Sequence, residues 1–85
     1  MVMDYLPIFL RLKDQRALVV GGGQIAMRKV QVLLRAQAAI KLIAPQILPE
    51  LRQLLLENGQ QFAERDFFEA DLLGIKLAVA ATDDA

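Results

Sequence analysis

Ala17-Leu18-Val19-Val20-Gly21-Gly22-Gly23-Gln24-Ile25-Ala26 joins a short, unbroken apolar run to three consecutive glycines and then to the first turn of a helical pattern. Four apolar residues have no periodicity of their own. The glycines bound them sharply, however, and a run apolar at every position suits a strand buried on both faces, as in parallel sheets. From Gln24 to about Ala36, residues Ala26, Val30, Leu33 and Leu34 fall at i, i+4, i+7 and i+8, one face of a helix. Gly21-x-Gly23-x-x-Ala26 therefore stands after a buried strand and opens a helix, the context in which this spacing cradles a dinucleotide. Gly21 permits the tight turn, and Gly23, without a Cβ, lets the backbone approach a pyrophosphate. Ala26 is small enough for close packing of helix on sheet. The free N–H groups at the helix start and its dipole then favour an anion.

Upstream, residues 5–12 (YLPIFLRL) read as extended, with Pro7 unsuited to a helix interior, and Lys13-Asp14-Gln15-Arg16 reads as a polar turn. Downstream, residues 39–44 (AIKLIA) predict a second strand ended by Pro45, so the unit from Ala17 to Ala44 spans 28 residues, close to the ~30 expected of a strand–helix–strand unit. Pro49 suits the first turn of a second helix, with Glu50 favoured by its dipole, Leu51, Leu54 and Leu55 as its apolar stripe, and Asn58-Gly59 as its stop. Residues 60–65 predict a weak third strand, 67–73 a short helical turn ending at Gly74, and 76–81 a fourth buried strand followed by Thr82-Asp83-Asp84. The order β-α-β-α-β-(α)-β implies a parallel sheet of strand order 3-2-1-4, a doubly wound α/β fold of the Rossmann type. The fourth strand, rich in Ala and Val, is then an exposed edge. Residues 1–85 thus read as the N-terminal part of a single dinucleotide-binding domain.

Composition narrows the chemistry. The 85 residues are 55% apolar and 24% charged, which is too apolar for a disordered chain. Ten Lys and Arg balance ten Asp and Glu, so charge attracts neither nucleic acid nor an acidic membrane. There is no Cys, His or Ser, which removes disulfides, thiolate or imidazole ligands and the usual nucleophile–base sites. No apolar run reaches the roughly 18–20 residues of a membrane span, and no secretory signal is read at the start, so a cytoplasmic location is expected. Asp66, Glu69, Asp71, Asp83 and Asp84 are the acids that could hold a hard cation, and they read instead as solvated loop or helix-end groups; no metal site is assigned.

The Asp or Glu usually found about 20 residues beyond the glycines, which holds the adenine ribose, has no counterpart in Ile43-Ala44-Pro45-Gln46. Gln46 or backbone groups can replace it, and nothing there repels a 2′-phosphate, which leaves NAD and NADP both open on chemistry alone. Arg28 and Lys29 read as an exposed basic helix face, with added positive charge near the phosphates as the alternative.

The run LPIFLRLKDQRALVVGGGQIAMRKVQVLLRAQA, then KLIAP, then LAVAATDD, resembles the N-terminal domain of siroheme synthase, a family that includes stand-alone precorrin-2 dehydrogenase/sirohydrochlorin ferrochelatases. The resemblance runs from Leu6 to Asp84. LP-x-F, V-V-G-G-G-x-x-A-x-R-K and A-A-T-D-D are its most specific parts. It implies an enzyme that oxidises precorrin-2 to sirohydrochlorin with NAD and can insert ferrous iron to give siroheme, as a homodimer when full length. It also implies cofactor contacts at Gly21, Gly22, Gly23, Gln24 and Ile25, at Pro45 and Gln46, and at Thr82 near the nicotinamide. The family's catalytic carboxylate and dimerisation segment follow a further strand, so no catalytic residue is assigned here, and residues 1–85 alone are expected to be inactive. A non-catalytic dinucleotide-sensing module is the alternative reading. Two departures from the family are Gln37, where a left-handed glycine often ends the first helix, and Met27, where relatives are often acidic.

Overall fold

The computed structural model describes residues 11–82. Its elements are β1 (Arg16–Val20), α1 (Gln24–Arg35), β2 (Ala39–Ala44), α2 (Pro49–Glu57), β3 (Gln61–Glu64), a 3₁₀ turn (Glu69–Leu72) and β4 (Leu77–Ala80). The strands form one sheet in the order β3-β2-β1-β4, and every pairing is parallel. This is the Rossmann-like α/β sheet expected from the alternation of strands and helices. The extended reading of residues 5–12 and the positions of Asp83 and Asp84 lie outside the described residues, apart from Arg11 and Leu12.

The strand alternation explains the core. Ala17 and Val19 of β1 and Ile40, Leu42 and Ala44 of β2 meet Ala26, Val30 and Leu33 of α1 and Leu51 and Leu55 of α2 in one buried cluster. Leu18 and Ile43, of opposite parity, are fully buried too, so the centre of the sheet is covered on both faces. Each such Leu, Ile or Val contributes about 1.5–3 kcal/mol by leaving water. Met27 packs against this cluster, so its apolar side chain serves the core. Arg28 and Lys29 are exposed, as a basic helix face requires.

Both helices end on the same hydrogen-bond pattern with different residues. After α2, Gly59 is left-handed (φ 67°), Gln60 N donates to Leu55 O (2.9 Å) and Gly59 N to Leu56 O (3.2 Å). After α1, Gln37 takes the same left-handed place (φ 62°), Ala38 N donates to Leu33 O (3.1 Å) and Gln37 N to Leu34 O (3.0 Å). Buried Ala38 and Leu33 supply the apolar contact that accompanies this motif. The cap geometry is therefore kept without glycine, and its strain is borne by the surroundings. Gln37→Gly is expected to raise unfolding stability by about 0.5–1 kcal/mol, read as a higher urea midpoint with an unchanged m-value.

The connection from β3 to β4 closes on Asp71. This buried carboxylate accepts from Arg65 Nη2 (2.7 Å) and Nη1 (3.0 Å) and from the Phe68 amide (2.8 Å), with Lys41 Nζ at 3.5 Å. The Arg65 guanidinium, and then the Phe68 amide, hold its carboxyl well below the usual carboxylate range. Asp71 is thus an internal strut of the connection, and no group of three or more acids that could hold a metal occurs among the described residues. No helix there is long and apolar enough to cross a membrane.

Candidate functional site

Where β1 gives way to α1, the chain turns at the carboxyl edge of the sheet, next to the point where the strand order reverses between β1 and β4. Open parallel sheets take their ligands in that crevice. A cavity of about 590 Å³ occupies it, lined by Gly21, Gly22 and Gly23, by Ala44 to Pro49, and by Ala81 and Thr82. Its size falls within the usual range for small-molecule sites.

The glycine turn is held by its neighbours on both sides. Gly21 N donates to Ile43 O (3.0 Å) and Ala81 N to Val20 O (2.8 Å), which prolong the ladders with β2 and β4. Gly21 has φ 140°, and a Cβ there would lie 2.1 Å from Ala81 O. A Cβ on Gly22 would lie 2.0 Å from Gln46 O and 3.0 Å from Ile47 Cα. Two of the three glycines thus let protein backbone approach protein backbone. Gly23 differs. It is the N-cap of α1 in ordinary extended conformation (φ −101°, ψ −155°), which any residue can adopt, and it lines the cavity.

The start of α1 is arranged for an anion. It has no side-chain cap and no acidic residue in its first turn. Among the described residues, the amides of Gly22, Gly23, Gln24 and Ile25 have no hydrogen-bond acceptor, and the first helical bond is Met27 N to Gly23 O (3.0 Å). These are the orphan donors that every helix start leaves, carrying about half a positive charge with the dipole. Among the described residues no Lys, Arg, Asp or Glu lines the cavity, so the attraction they offer an anion there comes from the main chain. These donors and the open hollow fit a pyrophosphate.

Of the residues expected at a cofactor site, Gly21, Gly22, Gly23, Pro45, Gln46 and Thr82 meet around the cavity. Gln24 and Ile25 do not line it. They are exposed residues of the first helical turn, with main-chain amides as their offering to the site. The sequence reading missed Ala44, Ala81 and the segment Ile47-Leu48-Pro49, which forms the far wall. Pro49 was legible as a helix start, and that position marks where the loop after β2 must end.

The chain matches the model of the family described as "Putative NAD(P)-binding" over residues 8–85. It is 48% identical over 82 residues to the siroheme synthase of Pseudomonas putida (strain W619), and 46% identical over 83 residues to that of Chromobacterium violaceum. These alignments cover 96% and 98% of this chain but 18% of either relative. Among solved structures, the precorrin-2 dehydrogenase SirC superposes with a TM-score of 0.84 at 34% identity, over 93% of this chain and 40% of SirC. With its β1–α1 turn and sheet order inside the matched span, the chain belongs to this NAD(P)-binding family.

Proposed function

We propose that the chain is the dinucleotide-binding part of an NAD-dependent precorrin-2 dehydrogenase of siroheme synthesis. The carrying observation is the cavity at the sheet's switch point, walled by Gly21–Gly23 and opening beside the unaccepted amides of α1. In this reading Gly22, Gly23 and the amides of Gln24 and Ile25 would hold the pyrophosphate, Pro45 and Gln46 the adenosine side, and Thr82, just beyond β4, the nicotinamide side. When bound, NAD⁺ would supply the acceptor for one hydride from precorrin-2; that hydride carries both electrons, and the loss of one further proton completes the oxidation to sirohydrochlorin. Among the described residues no cation lines the cavity to meet a 2′-phosphate, which supports NAD over NADP. Ferrous-iron insertion, a homodimeric assembly and a cytoplasmic location complete the proposal, as implied by the resemblance of LP-x-F, V-V-G-G-G-x-x-A-x-R-K and A-A-T-D-D to the siroheme synthase family.

The test uses the full-length polypeptide with precorrin-2 and NAD⁺. NADH should form in step with sirohydrochlorin, and NAD⁺ at a hundred times its Kd should stabilise the fold by about 2.7 kcal/mol. Stabilisation without NADH formation would assign a sensing module in place of the dehydrogenase. No stabilisation by millimolar NAD⁺ or NADP⁺ would remove the dinucleotide reading itself.

A further inference from the structure

We propose that Glu64, which does not line the cavity, is a positioning residue that holds the cavity's far wall in place. The proposal rests on the dinucleotide reading above. Glu64 is the last residue of β3 and pairs in register with Ala44, the last residue of β2. Beyond Ala44 the chain leaves the sheet, and Pro45 to Leu48 run to α2 without a strand partner. The N-cap of α2, Leu48, has no side chain able to tie the loop down.

Two bonds from neighbouring elements do so instead. On the glycine side, Leu48 N donates to Gly22 O (2.9 Å). On the β3 side, Ile47 N donates to Glu64 Oε2 (3.1 Å), and the same oxygen accepts from Arg52 Nη2 of α2 (2.8 Å). One carboxylate oxygen thus joins the end of β3, the loop and the helix after it. Ile47 is itself buried, so its amide without Glu64 would be a donor lacking an acceptor. Gln46 O presses against Gly22 from the other side, so a shift of this loop moves both the adenosine wall and the floor beneath the pyrophosphate.

The deciding feature is the acceptor for Ile47 N–H. The experiment titrates NAD⁺ into the full-length polypeptide by calorimetry and follows amide exchange at Ile47. Glu64→Ala should weaken NAD⁺ binding about tenfold, as the loss of one charge-assisted bond implies, and speed Ile47 exchange. Glu64→Gln keeps an oxygen that can accept from Ile47 and should bind within about threefold of wild type. Should Glu64→Ala fail to fold, Glu64→Asp takes its place with the same expectation, since the charge remains but the arm is too short. Glu64→Ala binding like wild type, or Glu64→Gln binding as weakly as Glu64→Ala, would overturn the proposal alone. A wild-type protein that binds no NAD⁺ would overturn it together with the dinucleotide reading.

Discussion

Gly21→Ala is expected to lower unfolding stability by about 2–6 kcal/mol, through two costs that fall on one methyl group. The first is conformational. At φ 140° an L-residue lies in a region nearly reserved for glycine, which costs on the order of 1–3 kcal/mol. The second is steric. The new Cβ would sit 2.1 Å from Ala81 O and 2.7 Å from Ala81 C, both main-chain atoms bound into the β1–β4 ladder. They can move only by breaking the Ala81 N to Val20 O bond or by pushing β4 outward, and overpacking of this kind costs about 1–3 kcal/mol more. Together these are a large share of the 5–15 kcal/mol typical of a domain. Gly59→Ala separates the two costs. It also has positive φ (67°), but a Cβ there meets nothing within 4 Å, so only about 1 kcal/mol is expected. Urea unfolding of both variants checks this, and a Gly21→Ala loss no larger than that of Gly59→Ala would show that β4 yields freely.

The difference between those two glycines also marks how far the sequence could be read. β1, α1, β2 and α2 were legible because their punctuation is local: the apolar run Ala17–Val20 against glycines, Pro45 after β2, Pro49 at a helix start and Asn58-Gly59 at its stop. The left-handed turn at residue 37 was legible as a position even though its residue is Gln rather than Gly. The parallel sheet followed from the alternation of strands and helices, and its order from the doubly wound fold in which the glycine turn stands. What could not be read depends on parallel register, which sets residues far apart in the chain side by side. Gly22 has no local reason to be glycine, because its reason is Gln46 O on the next strand's loop. Glu64 looks like an ordinary strand-end acid until β3 is laid beside β2, when it meets Ile47 N. Asp71 reads as a solvated acid until Arg65 folds back on it. Gln24 and Ile25 present the opposite case. Their place in the motif is local, but the helix gives the cavity their amides rather than their side chains.

Gly23→Val should produce the reverse outcome to Gly21→Ala: little change in stability and loss of dinucleotide binding. Its backbone (φ −101°, ψ −155°) is extended and suits a β-branched residue. Gly23 has no capping side chain to lose, and valine is a poorer N-cap than glycine, so backbone conformation and capping together should cost the unliganded protein no more than about 1 kcal/mol. The ligand should be affected far more. Gly23 lines the hollow beside the amides of Gln24 and Ile25, and an isopropyl group there takes the space a diphosphate needs to reach them. Among the described residues no cation lines the cavity to hold the phosphates by another route, so the main-chain contacts have no substitute there. The stabilisation of about 2.7 kcal/mol expected of wild type at a hundred times its Kd should therefore vanish at the same NAD⁺ concentration. Thermal melts of the full-length polypeptide with and without NAD⁺ read both effects at once. A variant still stabilised by NAD⁺ to the wild-type extent would mean that the diphosphate lies elsewhere. A variant destabilised as severely as Gly21→Ala would mean that the third glycine, like the first two, is there to let main chain pack against main chain.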